Sequence, residues 1–447
     1  MKSHFFKVSL IGIFVYSISI SAMIPNPLLS RGKTVYTSSG TVTSLTDNRF
    51  GSNSWQVTDN SWFAIKIDSG PTEIFLNLNN PDYAWASTPI APNQCPNNNL
   101  NLLKDYQILI SDNSTDGTDG EWNTVLSITN NPVTARGHKI VFSGANWIKI
   151  QIIKGSGYLD EVEVFDISNG AEDIWFFIGT SISANTFKGT PPEKNFADII
   201  NEMHPLFTPA MIRAGVSCQN SLGLVNNLST YMEIGGNASY WVIEHGTNDG
   251  WNNGNSGVAS FKENLQTVIT ACKNKGIKPV IAKVIATNTQ VTGWQIHSDY
   301  QKCIDELNNE NDLIEGPDFF SWFSQHPEEL NGETDGVHPN VNGAASIHRL
   351  WAEKMSSLYQ DVKNIKLQQN QSDILKNQFR AECFDNHILL KTPHAGTVSV
   401  FSLNGNLLKK IVFQSPGSKT AHVTNGIYII RFSSNKGLET QKFFIDR

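Results

Sequence analysis

Ile174-Trp175-Phe176-Phe177-Ile178-Gly179-Thr180-Ser181-Ile182-Ser183 runs from five consecutive apolar residues into a glycine and a hydroxyl-rich turn. A short, wholly apolar run of this kind reads as a buried strand of a parallel sheet, shielded on both faces. Ser181 then lies just past the strand's carboxyl end, the edge at which open α/β sheets meet their ligands.

Tyr240-Trp241-Val242-Ile243-Glu244-His245-Gly246-Thr247-Asn248-Asp249 repeats the design. An apolar strand again enters a Gly-containing polar turn, where the Asn248 side chain could donate a hydrogen bond to a developing oxyanion. A third stretch, Thr334-Asp335-Gly336-Val337-His338-Pro339-Asn340, sets an acid three residues before a histidine on a tight turn. Asp335 can hold one ring nitrogen of His338 and leave the other free as a general base, which Ser181 would complete as nucleophile. His245, His297, His326 and His348 are competing bases, but none has an acid at that spacing and a helix downstream.

Between Ala171 and about Gln360, apolar runs at 175–178, 241–243, 279–286 and 313–314 alternate with segments 196–203, 258–275, 297–309 and 341–358. The latter carry apolar residues at spacings of three and four, so the pattern predicts strand and helix in alternation. That is an α/β three-layer arrangement, a parallel sheet covered on both faces. Pro339 and Asn342 mark the start of the last helix.

The serine turn, the Gly-x-Asn-Asp turn and the Asp-x-x-His-Pro segment, in that order, resemble the SGNH (GDSL-type) hydrolases over roughly residues 173–359. The resemblance implies Ser181 as nucleophile, His338 as general base and acid, and Asp335 as its orienting acid. It implies an oxyanion hole made of the Ser181 N–H, the Asn248 side chain and an N–H from the turn Arg213-Ala214-Gly215-Val216-Ser217-Cys218-Gln219-Asn220. The family's glycine position there falls on Cys218, with Gly215 as the alternative. Thr180 stands where the family usually carries an acid before its serine. The chain order Ser, Asp, His agrees with serine hydrolases on α/β scaffolds, and the Gly-x-Ser-x-Gly elbow is absent.

The flanking regions have a different texture. Residues 1–22 carry Lys2 and Lys7, an apolar run from Val8 to Ile20 and small residues at Ser19, Ser21 and Ala22. They read as a signal peptide cut after Ser21 or Ala22, too short in its apolar core to anchor the mature chain. Residues 23–168 hold alternating segments such as Trp62-Phe63-Ala64-Ile65-Lys66-Ile67 between Asn-, Asp-, Gly- and Ser-rich clusters, the pattern of an antiparallel β-sandwich. This part resembles the galactose-binding-like, carbohydrate-binding jelly rolls. Trp55, Trp85 and Trp122 are either core or sugar-stacking platforms. Asp160, Glu161 and Asp166 could include ligands for a structural Ca²⁺, carboxylates being hard oxygen donors.

After a polar linker at 361–376, residues 377–447 return to β pattern, with Asn404-Gly405 as a hairpin turn between 398–401 and 407–413. This module resembles the C-terminal sorting domain of type IX secretion, which implies secretion machinery as a partner and export through the periplasm to the cell surface or medium. The charge of -7 over 447 residues leaves no electrostatic footprint for nucleic acid. The five cysteines, Cys95, Cys218, Cys272, Cys303 and Cys383, are odd in number and scattered, so they form no disulfide framework; Cys272 and Cys303 either pair or are buried free thiols.

The expected activity is that of a serine esterase needing no cofactor for catalysis. A sandwich of carbohydrate-binding type beside it points to removal of O-acetyl groups from plant polysaccharide, acetylated xylan above others. Trp251, Trp294 and Trp322 would hold the sugar if they line the cleft, and are otherwise core. The competing expectations are an esterase on another acetylated glycan, a lipase or thioesterase, and a polysaccharide-binding protein with a degenerate hydrolase domain.

Overall fold

The computed structural model describes residues 23–50, 54–67, 70–79, 102–133, 135–187, 194–332, 335–359, 379–384, 387–402, 407–422, 426–434 and 437–445. The expected signal peptide, Trp85, Cys95, the linker at 361–376 and the Asn404-Gly405 turn lie outside these residues.

A five-stranded parallel sheet runs in the spatial order Ala210–Gly215, Ile174–Gly179, Tyr240–Glu244, Lys278–Lys283, Ile314–Asp318. Its side chains alternate between two separate cores, as the two-residue period of a strand requires. Ile174, Phe176, Ile178, Trp241 and Ile243 enter one core with the helices Val258–Asn274 and Ser298–Asn311. Trp175, Phe177, Tyr240 and Val242 enter the other with Phe196–Met203, Phe319–Gln325 and Val341–Met355. Each fully buried large side chain contributes about 1.5–3 kcal/mol, so two-sided burial fixes the strand in this sheet. No helix among the described residues is long and apolar enough to cross a membrane.

The strand Ala210–Gly215 went unread in the sequence because Arg213 interrupts its apolar run. That arginine is buried against the N-terminal β region: Nε donates to Asn79 Oδ1 at 3.2 Å, Nη1 to the Phe187 carbonyl at 2.9 Å, and Nη2 lies 3.8 Å from Asp160. Asn77 Nδ2 donates to the Met211 carbonyl at 2.9 Å, satisfying a group on the sheet's outer edge. Phe75, Val133, Phe165 and Ile167 continue the first core across this seam.

The N-terminal region is antiparallel throughout and forms two sheets. One contains Glu73–Asn79 between Glu161–Asp166 and Arg136–Val141. The other is built around the long strand Trp147–Leu159. Trp55 is buried within the core between them and does not stand free for a sugar, while the Lys149 ammonium lies over one face of the partly buried Trp122 ring at 3.7 Å. Asp160, Glu161 and Asp166 do not converge on an ion. Glu161 and Asp166 stand opposite Asn79 and Ile74, five residues or about 16 Å apart along one strand. Each also has its own partner: Asp166 accepts from Ser168, Glu161 from the Asn48 N–H, and Asp160 faces Arg213. Among the described residues no group of three or more His, Cys, Asp and Glu is arranged to hold a metal.

Residues 396–402 and 407–413 pair antiparallel as expected, as do 426–434 and 437–445. Cys272 and Cys303 are buried free thiols, each pushed up to about 12, mainly by burial.

Burial, reinforced by Glu163, pushes Glu161 up to about 10. The folded chain then keeps a proton that the unfolded chain sheds near its ordinary value, so stability falls as pH rises toward the folded value. Between pH 7 and 9, stability should drop by about 1 kcal/mol per pH unit from this residue. Glu161→Gln should flatten that slope in thermal unfolding curves; a slope unchanged in the variant would assign it elsewhere.

Candidate active site at the carboxyl edge of the parallel sheet

Register brings the three sequence segments together. Gly179 stands opposite Gly215 on one side and Glu244 on the other, so the turns after all three strands open at one level. Thr180 caps the short helix Ser181–Thr186, its side chain accepting from the Ile182 N–H, and Ser181 is the first residue of that helix.

Ser181 Oγ lies 2.7 Å from His338 Nε2, and His338 Nδ1 lies 2.6 Å from Asp335 Oδ2. The other Asp335 oxygen accepts the backbone N–H groups of Val337 at 2.9 Å and His338 at 3.2 Å. One carboxylate thus shapes the turn and orients the ring, fixing the tautomer that leaves Nε2 facing the serine. Gly336 makes the turn feasible with φ +67°, and the segment is held to its surroundings by Asn288 N–H to Gly336 O and Asn331 N–H to His338 O. Asn340, rather than Pro339 or Asn342, caps the helix Val341–Met355.

Asn248 Nδ2 donates to the Gln219 carbonyl at 2.8 Å, and a primary amide retains a second N–H for another acceptor. The Gln219 side chain is fixed in turn by Tyr231 Oη at 2.7 Å and His245 Nε2 at 3.3 Å. Asp249 accepts from both the N–H and the hydroxyl of Ser221, tying the Asn248 turn to the end of the Cys218 turn. Cys218 has φ +62°, the left-handed region, and is disulfide-bonded. It is therefore a conformational stand-in for glycine, and it enters a disulfide that the sequence reading, which considered only a Cys272–Cys303 pair, did not expect. Gly215 belongs to the strand rather than the turn. A Cβ there would come within 2.4 Å of the Ala184 nitrogen, so its smallness serves the packing of the serine helix.

The remaining histidines have other duties. Burial lowers His245 to about 3 and His348 to about 4, and His348 Nδ1 accepts the Phe196 N–H. His297 caps the helix Ser298–Asn311, and His326 stacks on Trp322 at 4.0 Å. Trp322 also carries Arg349 at 4.3 Å and donates to Glu329, so its ring is taken up by its own neighbours. Trp251 and Trp294 form a tilted pair at 5.1 Å, with Trp251 43% exposed. Trp251 follows Asn248 by three residues, and Trp294 ends the segment whose Val291 and Thr292 pack on Gly336.

Sequence reasoning passed over Glu244. It is buried, and its Oε2 accepts from the N–H and hydroxyl of both Thr180 and Ser183. Burial pushes it up to about 7 against the pull of those four donors. The available signal was a carboxylate ending an otherwise apolar strand, since an acid in such a place must find hydrogen-bond donors.

The site is that of a three-layer α/β protein with a Ser–His–Asp hydrogen-bond chain at the sheet's carboxyl edge. No family model matches the chain, and no curated protein matches it. Among solved structures, a Bacillus subtilis protein from a structural genomics programme is similar at 15% identity and a TM-score of 0.38, covering 67% of this chain and 81% of that one. An acetylxylan esterase from Geobacillus stearothermophilus matches at 14% identity and a TM-score of 0.34, covering 43% of this chain and 98% of its own. TesA matches at 16% identity and a TM-score of 0.33, covering 41% and 99%.

Gly336→Ala should test the turn that carries His338. A side chain at φ +67° costs about 1–2 kcal/mol, and the added Cβ would press on Thr292 Cγ2 at 2.8 Å. A loss of at least that size in urea unfolding is expected, and an unchanged midpoint would count against the turn as described.

Proposed function

We propose that the protein is a secreted serine esterase that removes O-acetyl groups from plant polysaccharide, acetylated xylan being the favoured substrate. The observation that carries the esterase reading is the unbroken chain from Ser181 Oγ through His338 to Asp335, at 2.7 and 2.6 Å. In this reading His338 Nε2 takes the Ser181 proton as Oγ attacks the ester carbonyl, and Asp335 stabilises the imidazolium. The Ser181 N–H, the free Asn248 N–H and the Cys218 N–H receive the oxyanion. His338 then gives that proton to the departing sugar oxygen, which leaves as a free hydroxyl, and water repeats the sequence on the acyl-enzyme.

Support for a sugar substrate comes from the exposed Trp251 beside Trp294, since an aromatic face is a platform for the apolar face of a pyranose. The leader at 1–22 and the C-terminal β-module favour export by a type IX route. The N-terminal β region is read as a carbohydrate-binding-type module whose contact with the catalytic part is extensive. A second reading, an esterase or thioesterase for longer acyl chains, draws on Leu222, Val291 and Val341. These exposed apolar side chains sit on or beside the turns that carry the site.

Purified protein should release acetate from acetylated xylan, and Ser181→Ala should abolish both this and labelling by a fluorophosphonate while the melting curve stays intact. Activity surviving in that variant would overturn the assignment. Asn248→Ala should lower kcat by about 10²–10³-fold, the usual cost of one oxyanion donor. Trp251→Ala should raise KM for acetylated xylo-oligosaccharide and leave p-nitrophenyl acetate hydrolysis as it was. A preference for p-nitrophenyl octanoate over acetate would favour the second reading.

A further inference from the structure

The first turn after Gly179 contains more backbone donors than the helix can satisfy, as at any helix start. Their destinations can be followed one by one. The Thr180 N–H goes to Glu244 Oε2 at 3.1 Å and the Ile182 N–H to Thr180 Oγ1 at 3.2 Å. The Ser183 N–H goes to Glu244 Oε2 at 3.3 Å and the Ala184 N–H to the Thr180 carbonyl at 3.0 Å. Among the described residues the Ser181 N–H has no acceptor, and it is the amide nearest the serine oxygen. The hydroxyls of Thr180 and Ser183 also donate to Glu244 Oε2, each at 3.0 Å.

We propose that Glu244 is a positioning residue for the nucleophile. From the neighbouring strand its carboxylate ties down both ends of the Thr180–Ser183 turn and leaves the Ser181 N–H free to meet an oxyanion. The inference rests on the reading of Ser181 as nucleophile. Three further observations support it. Gly179 has no room for a side chain, because a Cβ there would lie 2.0 Å from Ser183 Oγ and 2.9 Å from Glu244 Oε2, so the carboxylate occupies the floor of the turn. Among the described residues Glu244 Oε1 is buried without a hydrogen-bond partner, so the acid is not placed there for its own stability. Thr180, the residue just before the serine, is also gripped twice by this carboxylate, through its N–H and through its hydroxyl.

The test compares Glu244→Leu, which removes the acceptor, with Glu244→Gln, which keeps an oxygen for the same donors. In Glu244→Leu, kcat on p-nitrophenyl acetate should fall about 10–100-fold, the scale of a misplacement near 1 Å, with KM within about twofold. Glu244→Gln should stay within about fivefold of the parent, and fluorophosphonate labelling rates should follow kcat in both. Should Glu244→Leu fail to fold, the double variant Thr180→Val with Ser183→Ala removes two of the donors instead and should show the same selective loss in kcat. Parent-like kcat in folded Glu244→Leu or in the folded double variant would overturn the proposal, as would equal losses for Leu and Gln or a change confined to KM. If Ser181→Ala stays active, the esterase reading itself falls. If it is inactive while Glu244→Leu is unimpaired, only the positioning role falls.

Discussion

Parallel register is the constraint on which the rest of the structure depends. Because Gly179 is level with both Gly215 and Glu244, three strands release their chains into turns at one height, and the sheet cannot shift by one residue. Such a slip would carry Trp175 and Phe177 into the core that now holds Ile174, Phe176 and Ile178, exchanging every side chain between two differently shaped cavities. Packing energy far from the serine therefore sets the distance between the serine and its neighbours. His338 arrives from further along the chain, and its loop is pinned to Asn288 and Asn331 through backbone bonds rather than through its ring. The ring is left to the two contacts that matter chemically.

Much of this architecture could be read from pattern. The apolar strands at 174–178 and 240–243 and the helices beginning near 196, 258, 298 and 341 were visible because burial on two faces, or on one stripe, leaves a periodic signature. Ala210–Gly215 was not visible, since Arg213 has the composition of a surface residue and is tolerated inside through partners that include Asn79, Asp160 and the Phe187 carbonyl. Those partners lie 26 to 134 residues away in sequence, and no local window contains them. The short helices Ser221–Asn226 and Phe319–Gln325 were likewise too brief to show a period.

The candidate site divides in the same way. Ser181, Asn248, Asp335 and His338 sit in short segments whose residue types announce their chemistry, and the structure brings them to one edge. Their supports were hidden because a supporting residue acts through a partner chosen by the fold. Gln219 matters only because Tyr231 and His245 hold its side chain while its carbonyl holds Asn248. Cys218 looked like a departure from glycine, yet it adopts the backbone conformation for which glycine is usually selected. Aromatic residues were the least legible: composition does not distinguish the exposed Trp251 from Trp322, whose ring is occupied by His326 and Arg349.

The seam at Ala210–Gly215 bears on how such a protein can be taken apart. Asn77 closes the outer edge of the parallel sheet, and Phe75 and Phe165 complete a core that also contains Phe176 and Trp241. Cutting the chain near residue 170 would not separate two finished globules. It would uncover a sheet edge with an unmatched carbonyl and strand Arg213, a cation whose counter-charge and amide partner both belong to the other half. The front region is thus a wall of the rear one, and grafting either half onto a foreign partner would succeed only if the asparagines and phenylalanines of this seam travelled with it.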